Sequence, residues 1–317
     1  MSLKLSLKIG DSEQAKFADW AARQTINPYK LDYHPPSKFP TKLISEGVHI
    51  LNGGRNELAR ALRCLTDQNN PCLLVELSGL PLDDLTNIPS PTDGRAPKGK
   101  TFVSELACMA LAQIMNVRIR VGRGEKPPFN FPFHQVVPQK GHEDEGSNEG
   151  AGYFTLHQDR IFAPDPPDFL LLYGLREEAE VPTYFYPLSN LLKVMPEDLY
   201  HELFKPHFKD PKDPNSTATI PLLEGSPDNS SNVISRLDLE EGWIEGTTEK
   251  ARQALAYLQQ KDKSRKEFLH LESVLISPGV AVISDHRRLL HGRDGFNTKY
   301  QRWLQRVHLV RGDSGIR

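Results

Sequence analysis

Residues 153–162 read Tyr153-Phe154-Thr155-Leu156-His157-Gln158-Asp159-Arg160-Ile161-Phe162. The stretch reads as a β-strand. In a strand, residues i and i+2 point to the same face. His157 and Asp159 therefore project together, and Gln158 points away. Two metal-binding side chains on one strand face call for a third donor from a distant strand. Leu290-His291-Gly292-Arg293 offers one, and Arg302-Trp303-Leu304-Gln305-Arg306 follows it.

Outward from this strand the chain divides into helices first and short strands later. Residues 11–24 read as an amphipathic helix with Asp11 or Ser12 as its N-cap. Residues 27–48 are rich in Pro and Lys and are expected to wrap the surface. Residues 56–68 place Leu58, Ala61, Leu62 and Leu65 at helical spacing. Residues 72–77 read as a buried strand, 80–99 as a long loop and 102–115 as a strongly apolar helix. From 118 onward short strands follow, at 118–121, 134–138, 169–173, 182–186 and 303–310. Residues 271–276 and 280–284 read as two strands about the tight turn Ser277-Pro278-Gly279. Helices at 196–204 and 249–260 fall inside a mixed insert.

This order predicts a mainly β protein with flanking helices and a double-stranded β-helix (jelly-roll) core. A single domain is expected over 1–317. It has an N-terminal helical region at 1–117, a core at about 118–311 and a lid-like insert at about 188–270. Residues 140–152, polar and glycine-bearing, precede the His157 strand and are a second candidate lid. Asn52-Gly53-Gly54-Arg55 matches neither the dinucleotide nor the P-loop fingerprint.

The 317 residues carry a formal net charge of −2, which supplies no basic field for nucleic acid. No apolar run approaches the ~18 residues of a membrane span. The N-terminal stretch 1–8 alternates and lacks the apolar core of a signal peptide. Cys64, Cys72 and Cys108 have apolar neighbours and read as free thiols. These features predict a cytoplasmic monomer or homodimer acting on a small molecule.

Two histidines and one carboxylate with open positions are the ligand set of a non-haem Fe(II) oxygenase. Arg302 adds a fixed cation suited to the far carboxylate of a dicarboxylate cosubstrate. His134, His142, His286 and His308 lack such spacing and are expected to be structural or exposed.

The residues around these positions resemble a known family. The blocks are Leu156-His157-Gln158-Asp159, Pro167-Asp168-Phe169-Leu170-Leu171-Leu172-Tyr173 and Arg236-Leu237-Asp238-Leu239-Glu240. Two more specific blocks follow, Arg288-Leu289-Leu290-His291-Gly292-Arg293-Asp294-Gly295-Phe296 and Arg302-Trp303-Leu304-Gln305-Arg306-Val307. Over roughly 130–310 the sequence resembles the clavaminate synthase-like branch of the taurine dioxygenase superfamily. That branch includes hydroxylases of free arginine, asparagine and lysine in peptide-antibiotic pathways.

The resemblance implies that His157, Asp159 and His291 bind Fe(II). It implies that Arg302 and Thr183 hold 2-oxoglutarate, with O2 as the second cosubstrate. Arg306 shares the Arg302 face and is a further candidate for a cosubstrate or substrate carboxylate. Asp238 and Glu240, on an alternating segment, are expected to share one face and to bind an amine, guanidinium or amide of the substrate. Many branch members have Glu where Asp159 stands, and the His291–Arg302 interval is shorter than in many of them. The halogenating relatives lack the carboxylate ligand, so Asp159 argues against halogenation. Desaturation or ring closure would use the same residues. A zinc hydrolase with the same three ligands and a non-enzymatic binding protein are the readings from other classes.

Overall fold

The computed structural model describes residues 3–33, 40–54, 56–67, 72–122, 130–213, 217–228, 233–264 and 271–312. In chain order its elements are β1 (Lys4–Lys8), α1 (Asp11–Ala22), α2 (Thr41–Asn52), α3 (Glu57–Thr66), β2 (Leu74–Ser78) and α4 (Val103–Met115). The strands β3 (Val117–Ile119), β4 (His134–Val136), β5 (Phe154–His157), β6 (Phe169–Glu177) and β7 (Thr183–Pro187) follow. Next come α5 (Leu188–Lys193), α6 (Glu197–Glu202), β8 (Phe208–Lys209), β9 (Leu223–Glu224), β10 (Ile234–Ser235), β11 (Glu245–Gly246) and α7 (Glu249–Lys263). The chain closes with β12 (Glu272–Val274), β13 (Ala281–Asp285), β14 (Leu289–Arg293) and β15 (Arg302–Arg311).

Two sheets form the frame. The larger is ordered β1-β2-β13-β6-β15-β3, with β4 also paired to β15. The smaller is ordered β12-β7-β14-β5. Leu170, Leu172, Val282 and Leu304 of the larger sheet share one buried cluster with Phe185, Val274 and Leu289 of the smaller. The sheets thus pack face to face. The outer face of the larger sheet is covered by helices, where Trp303, Val307 and Leu309 join Leu106, Cys108 and Leu111 of α4. α4 is buried almost all round, as expected of a helix that is apolar on every side.

Residues 27–48 do more than wrap the surface, because the second half of that stretch enters α2. Ile44 and Leu51 face inward, and Gly47 lies against α1 so closely that a Cβ there would meet the Trp20 ring at 2.8 Å. Pro and Lys upstream hide this period; residues 34–39 lie outside the described residues. The alternating N-terminal stretch contains β1, which pairs parallel to β2. The turn at Ser277-Pro278-Gly279 does not join a hairpin. β12 pairs with β7 in the smaller sheet, whereas β13 pairs with β2 and β6 in the larger. The turn hands the chain from one sheet to the other. Gly174 makes room for it: a Cβ there would lie 2.2 Å from the Ser277 carbonyl oxygen.

The segment between β7 and β12 packs against the smaller sheet, its buried Leu203, Phe208, Leu222, Leu237 and Leu258 sharing one cluster with Leu156, Tyr186 and Leu290. Thr248 caps α7 by accepting a hydrogen bond from the Ala251 N–H at 3.1 Å. Among the described residues no helix is long and apolar enough to cross a membrane.

Candidate metal centre

His157 ends β5 and stands directly opposite His291 of β14 in the antiparallel register. Directly opposed residues share a face, and the two ring centroids lie 4.1 Å apart. The chain continues past β5 in a fixed direction because Gln158 is tied on the other side. Its Oε1 accepts from Ser235 Oγ at 2.8 Å and from the Leu237 N–H at 2.9 Å. Asp159 therefore returns to the His157 face. Ligand atoms of His157, Asp159 and His291 all lie within 4.8 Å of one another, and all three residues are buried.

The protonation states suit a cation. His157 Nδ1 donates to the Thr155 carbonyl at 2.8 Å, which leaves Nε2 with its lone pair. That Nε2 is buried without a hydrogen-bond partner, and so is His291 Nδ1. Burial lowers the pKa of His157, and burial together with His157 holds His291 well below the usual imidazole range. Burial alone would raise Asp159, yet Arg306 and His308 hold it well below the usual carboxylate range. Neutral imidazoles beside an ionised carboxylate are the forms that bind metal. A buried unpartnered nitrogen costs free energy, and a divalent cation would satisfy it. The residues fit an iron.

Asp159 is gripped from all sides. Its Oδ1 accepts from Arg306 Nη1 at 3.0 Å and its Oδ2 from His308 Nε2 at 2.9 Å. Its backbone N–H donates to His286 Nε2 at 2.7 Å. Burial pushes His286 down to about 3, so it accepts as a neutral ring. Arg306 Nη2 also donates to His134 Nδ1 at 2.7 Å. His134, His286 and His308 are thus neither exposed nor remote, and they support the carboxylate. The parity of β15, which puts Arg302, Arg306 and His308 on one face, was the sequence signal for His308.

Arg302 and Thr183 come together across the two sheets, with Arg302 Nη2 donating to Thr183 Oγ1 at 3.2 Å. Glu177, which no sequence pattern marks, forms an ion pair with Arg302 at 3.0 Å.

A cavity of about 530 Å³ opens beside these residues, lined by His157, Asp159, Asn148, Phe162, Asp238 and Trp243 among others. Asp238 is buried and pairs with His157 through a backbone bridge. Burial pushes its carboxyl up to about 7, against a hydrogen bond from the Glu240 N–H. Glu240 does not share this face. The chain bends at Glu240 and turns away, so the alternation stops at Asp238 and Glu240 is absent from the cavity lining. At the rim, Lys212 Nζ sits 3.0 Å from the centre of the Trp243 ring. Neither residue stood out in the sequence.

Residues 140–152 border the cavity through Gly146, Ser147 and Asn148. Arg293 ties the segment down by donating to the carbonyls of Ser147, Gly150 and Gly152. Asn148 Oδ1 in turn accepts from Arg306 Nη1 at 3.0 Å.

No protein-family model matches the sequence. The chain is 27% identical over 274 residues to the L-asparagine oxygenase of Streptomyces coelicolor, covering 80% of this chain and 75% of that protein. Its fold matches the crystal structure of asparagine oxygenase with a TM-score of 0.75 at 23% identity, over 96% of this chain and 92% of that one. It also matches the non-haem iron oxygenase OrfP, solved with Fe, succinate and (3S)-hydroxy-L-Arg. There the TM-score is 0.75 at 21% identity, over 98% of this chain and 95% of that one. By sequence the chain is similar to an asparagine oxygenase, and its fold is that of the solved asparagine oxygenase and OrfP structures.

Proposed function

We propose that this protein is an Fe(II)- and 2-oxoglutarate-dependent dioxygenase. It hydroxylates an unactivated C–H bond of a free L-amino acid with a basic or amide side chain, releasing succinate and CO2. The observation that carries this reading is the convergence of His157, Asp159 and His291 beside the hydrogen-bonded pair Arg302 and Thr183. The relatives described above support it, one being an asparagine oxygenase and another solved with Fe and alpha-ketoglutaric acid.

In this reading His157, Asp159 and His291 hold the iron. The bound iron, with 2-oxoglutarate and dioxygen, supplies the oxidising chemistry. Arg302 takes the far carboxylate of 2-oxoglutarate in the two-pronged manner that a guanidinium allows, and Thr183 orients that arginine. Arg306 keeps Asp159 ionised and lies close enough to meet a carboxylate on the iron side. Asp238 receives the cationic or amide end of the substrate. Its raised pKa marks a carboxyl whose burial outweighs the pull of Lys212, and a substrate amine or guanidinium would restore it to the charged form. The cavity walls position the substrate and exclude water.

We read the two facing sheets as the jelly-roll core of one oxygenase domain, with 1–117 as its N-terminal region, 118–311 as the core and 188–270 as an insert at the cavity rim. We also place the enzyme in the cytoplasm as a monomer or homodimer.

The test is a screen of free amino acids for substrate-stimulated succinate formation, with mass analysis for a gain of one oxygen. No 2-oxoglutarate binding at millimolar concentration under anaerobic Fe(II) would overturn the reading. Hydrolytic activity with Zn(II) and no succinate would favour the hydrolase instead.

A further inference from the structure

Glu177 and Arg302 face each other across the β6–β15 ladder. Glu177 Oε2 lies 3.0 Å from Arg302 Nε, and the two side chains are 0% and 5% exposed. Next to this pair the ladder slips between Trp303 and Leu304, an irregularity that re-aims side chains near sites. The Arg302 guanidinium is therefore engaged on two edges. Nε faces Glu177, and Nη2 donates to Thr183 Oγ1. A guanidinium has five N–H donors, so the terminal nitrogens keep donors for an incoming carboxylate.

A nearby arginine does not relieve Glu177. The guanidinium of Arg293 lies against Phe296, 4.9 Å from the ring centre, with Arg302 on the same ring at 5.9 Å. It spends its donors on the carbonyls of residues 147–152. Burial and Arg302 bring Arg293 down to about 9 against the pull of Glu177.

Resting on the reading that Arg302 takes the far carboxylate of 2-oxoglutarate, we infer that Glu177 is a positioning residue. It fixes the orientation of Arg302 and tempers cosubstrate affinity by sharing that arginine's charge. Without cosubstrate, Glu177 keeps a buried cation paired; loss of a partner from such a pair is strongly destabilising. With cosubstrate, one guanidinium serves two carboxylates, and the excess negative charge weakens binding. The affinity is set by Glu177 as well as by Arg302.

The experiment uses Glu177→Gln, which keeps the shape and an acceptor oxygen and removes the charge. Binding of 2-oxoglutarate is measured by anaerobic calorimetry with Mn(II) in place of iron. 2-Oxopentanoate, which lacks the far carboxylate, is titrated alongside. The expected result is 2-oxoglutarate binding about tenfold tighter in the variant, near the lower edge of the span measured for close charge pairs, with 2-oxopentanoate unchanged. The ligand-free variant should melt at a lower temperature and recover more on adding 2-oxoglutarate than the wild type does. A merely structural role would lower the melting temperature and move both ligands alike, and that result would overturn the inference. So would unchanged or weaker 2-oxoglutarate binding. Should Glu177→Gln fail to fold, Glu177→Asp draws the carboxylate back from Arg302 and is expected to tighten binding by a smaller factor; no tightening again overturns it. Wild-type protein that binds no 2-oxoglutarate would instead sink the cosubstrate reading itself, and this inference with it.

Discussion

His157 and His291 stand directly opposite each other across the β5–β14 ladder, their ring centroids 4.1 Å apart. Backbone pairing, rather than loop geometry, brings the two imidazoles together. The site is therefore built on rigid elements, and its weak points lie in the residues that hold Asp159 beside them.

His308 donates to Asp159 Oδ2 and so orients the carboxylate. Replacing groups that orient a ligand typically costs ten- to a hundredfold in metal affinity. His308→Ala should weaken Mn(II) or Fe(II) binding by about that factor, as read by equilibrium dialysis, while the fold is retained. Unchanged metal affinity would show that Arg306 alone suffices.

Arg293 reaches three backbone carbonyls of the segment beside the cavity. Lysine keeps the charge and loses the fork of donors. Arg293→Lys should speed hydrogen–deuterium exchange in residues 146–152 and leave β6 and β13 unaffected. Equal exchange in the two proteins would mean that the segment holds itself.

Lys100 is fully buried between Asp83 and Glu105, at 2.9 and 2.6 Å. Ser104 Oγ lies within hydrogen-bonding distance of the same carboxylates and, at 3.1 Å, of Gln305 Oε1 of β15, one of which takes its single hydrogen. Breaking a buried pair by removing one partner costs about 3–5 kcal/mol. Here the loss is aggravated because two carboxylates remain side by side. Lys100→Met should reduce unfolding stability by at least that amount in urea titration. A loss under about 1 kcal/mol, the scale of an exposed pair, would contradict the assignment.

Glu202 accepts hydrogen bonds from Lys205, His207 and Thr248 at 2.9, 2.6 and 3.1 Å. Burial alone would raise its carboxyl, but these partners bring it from 4.5 down to about 2. A folded-state pKa below the unfolded one means that the unfolded chain binds more protons between those values. The contribution of Glu202 is present in full above pH 4.5 and is lost as the pH falls toward 2. Glu202→Gln should lose stability at neutral pH and show a shallower decline over that window in thermal melts. Parallel declines for the two proteins would refute it.

Much of the helical frame was legible because apolar period alone decides it. Leu58, Leu62 and Leu65 mark α3, and the unbroken run in residues 169–173 marks β6. α2 was hidden because proline and lysine upstream masked a period carried by Ile44 and Leu51. The strands on either side of Ser277-Pro278-Gly279 were legible as strands. Their separation into two sheets was not, because a tight turn says nothing about which neighbours its flanks will pair with.

The same division holds at the site. The sequence by itself determined which side chains of β15 share a face, since the period of two places Arg302 with Arg306 and His308; it also pointed to His157 beside Asp159, although β5 ends at His157 and the tether of Gln158 brings Asp159 back to that face. It also determined the donor types, two imidazoles and a carboxylate, that suit iron. Only the tertiary structure decided what stands opposite each of them. Inter-strand register put His291 against His157, His134 against Arg306 and Glu177 against Arg302. The turn at Glu240 removed that residue from the face of Asp238. A local pattern specifies the side to which a residue points; the partner it meets there depends on the packing of strands far apart in the chain.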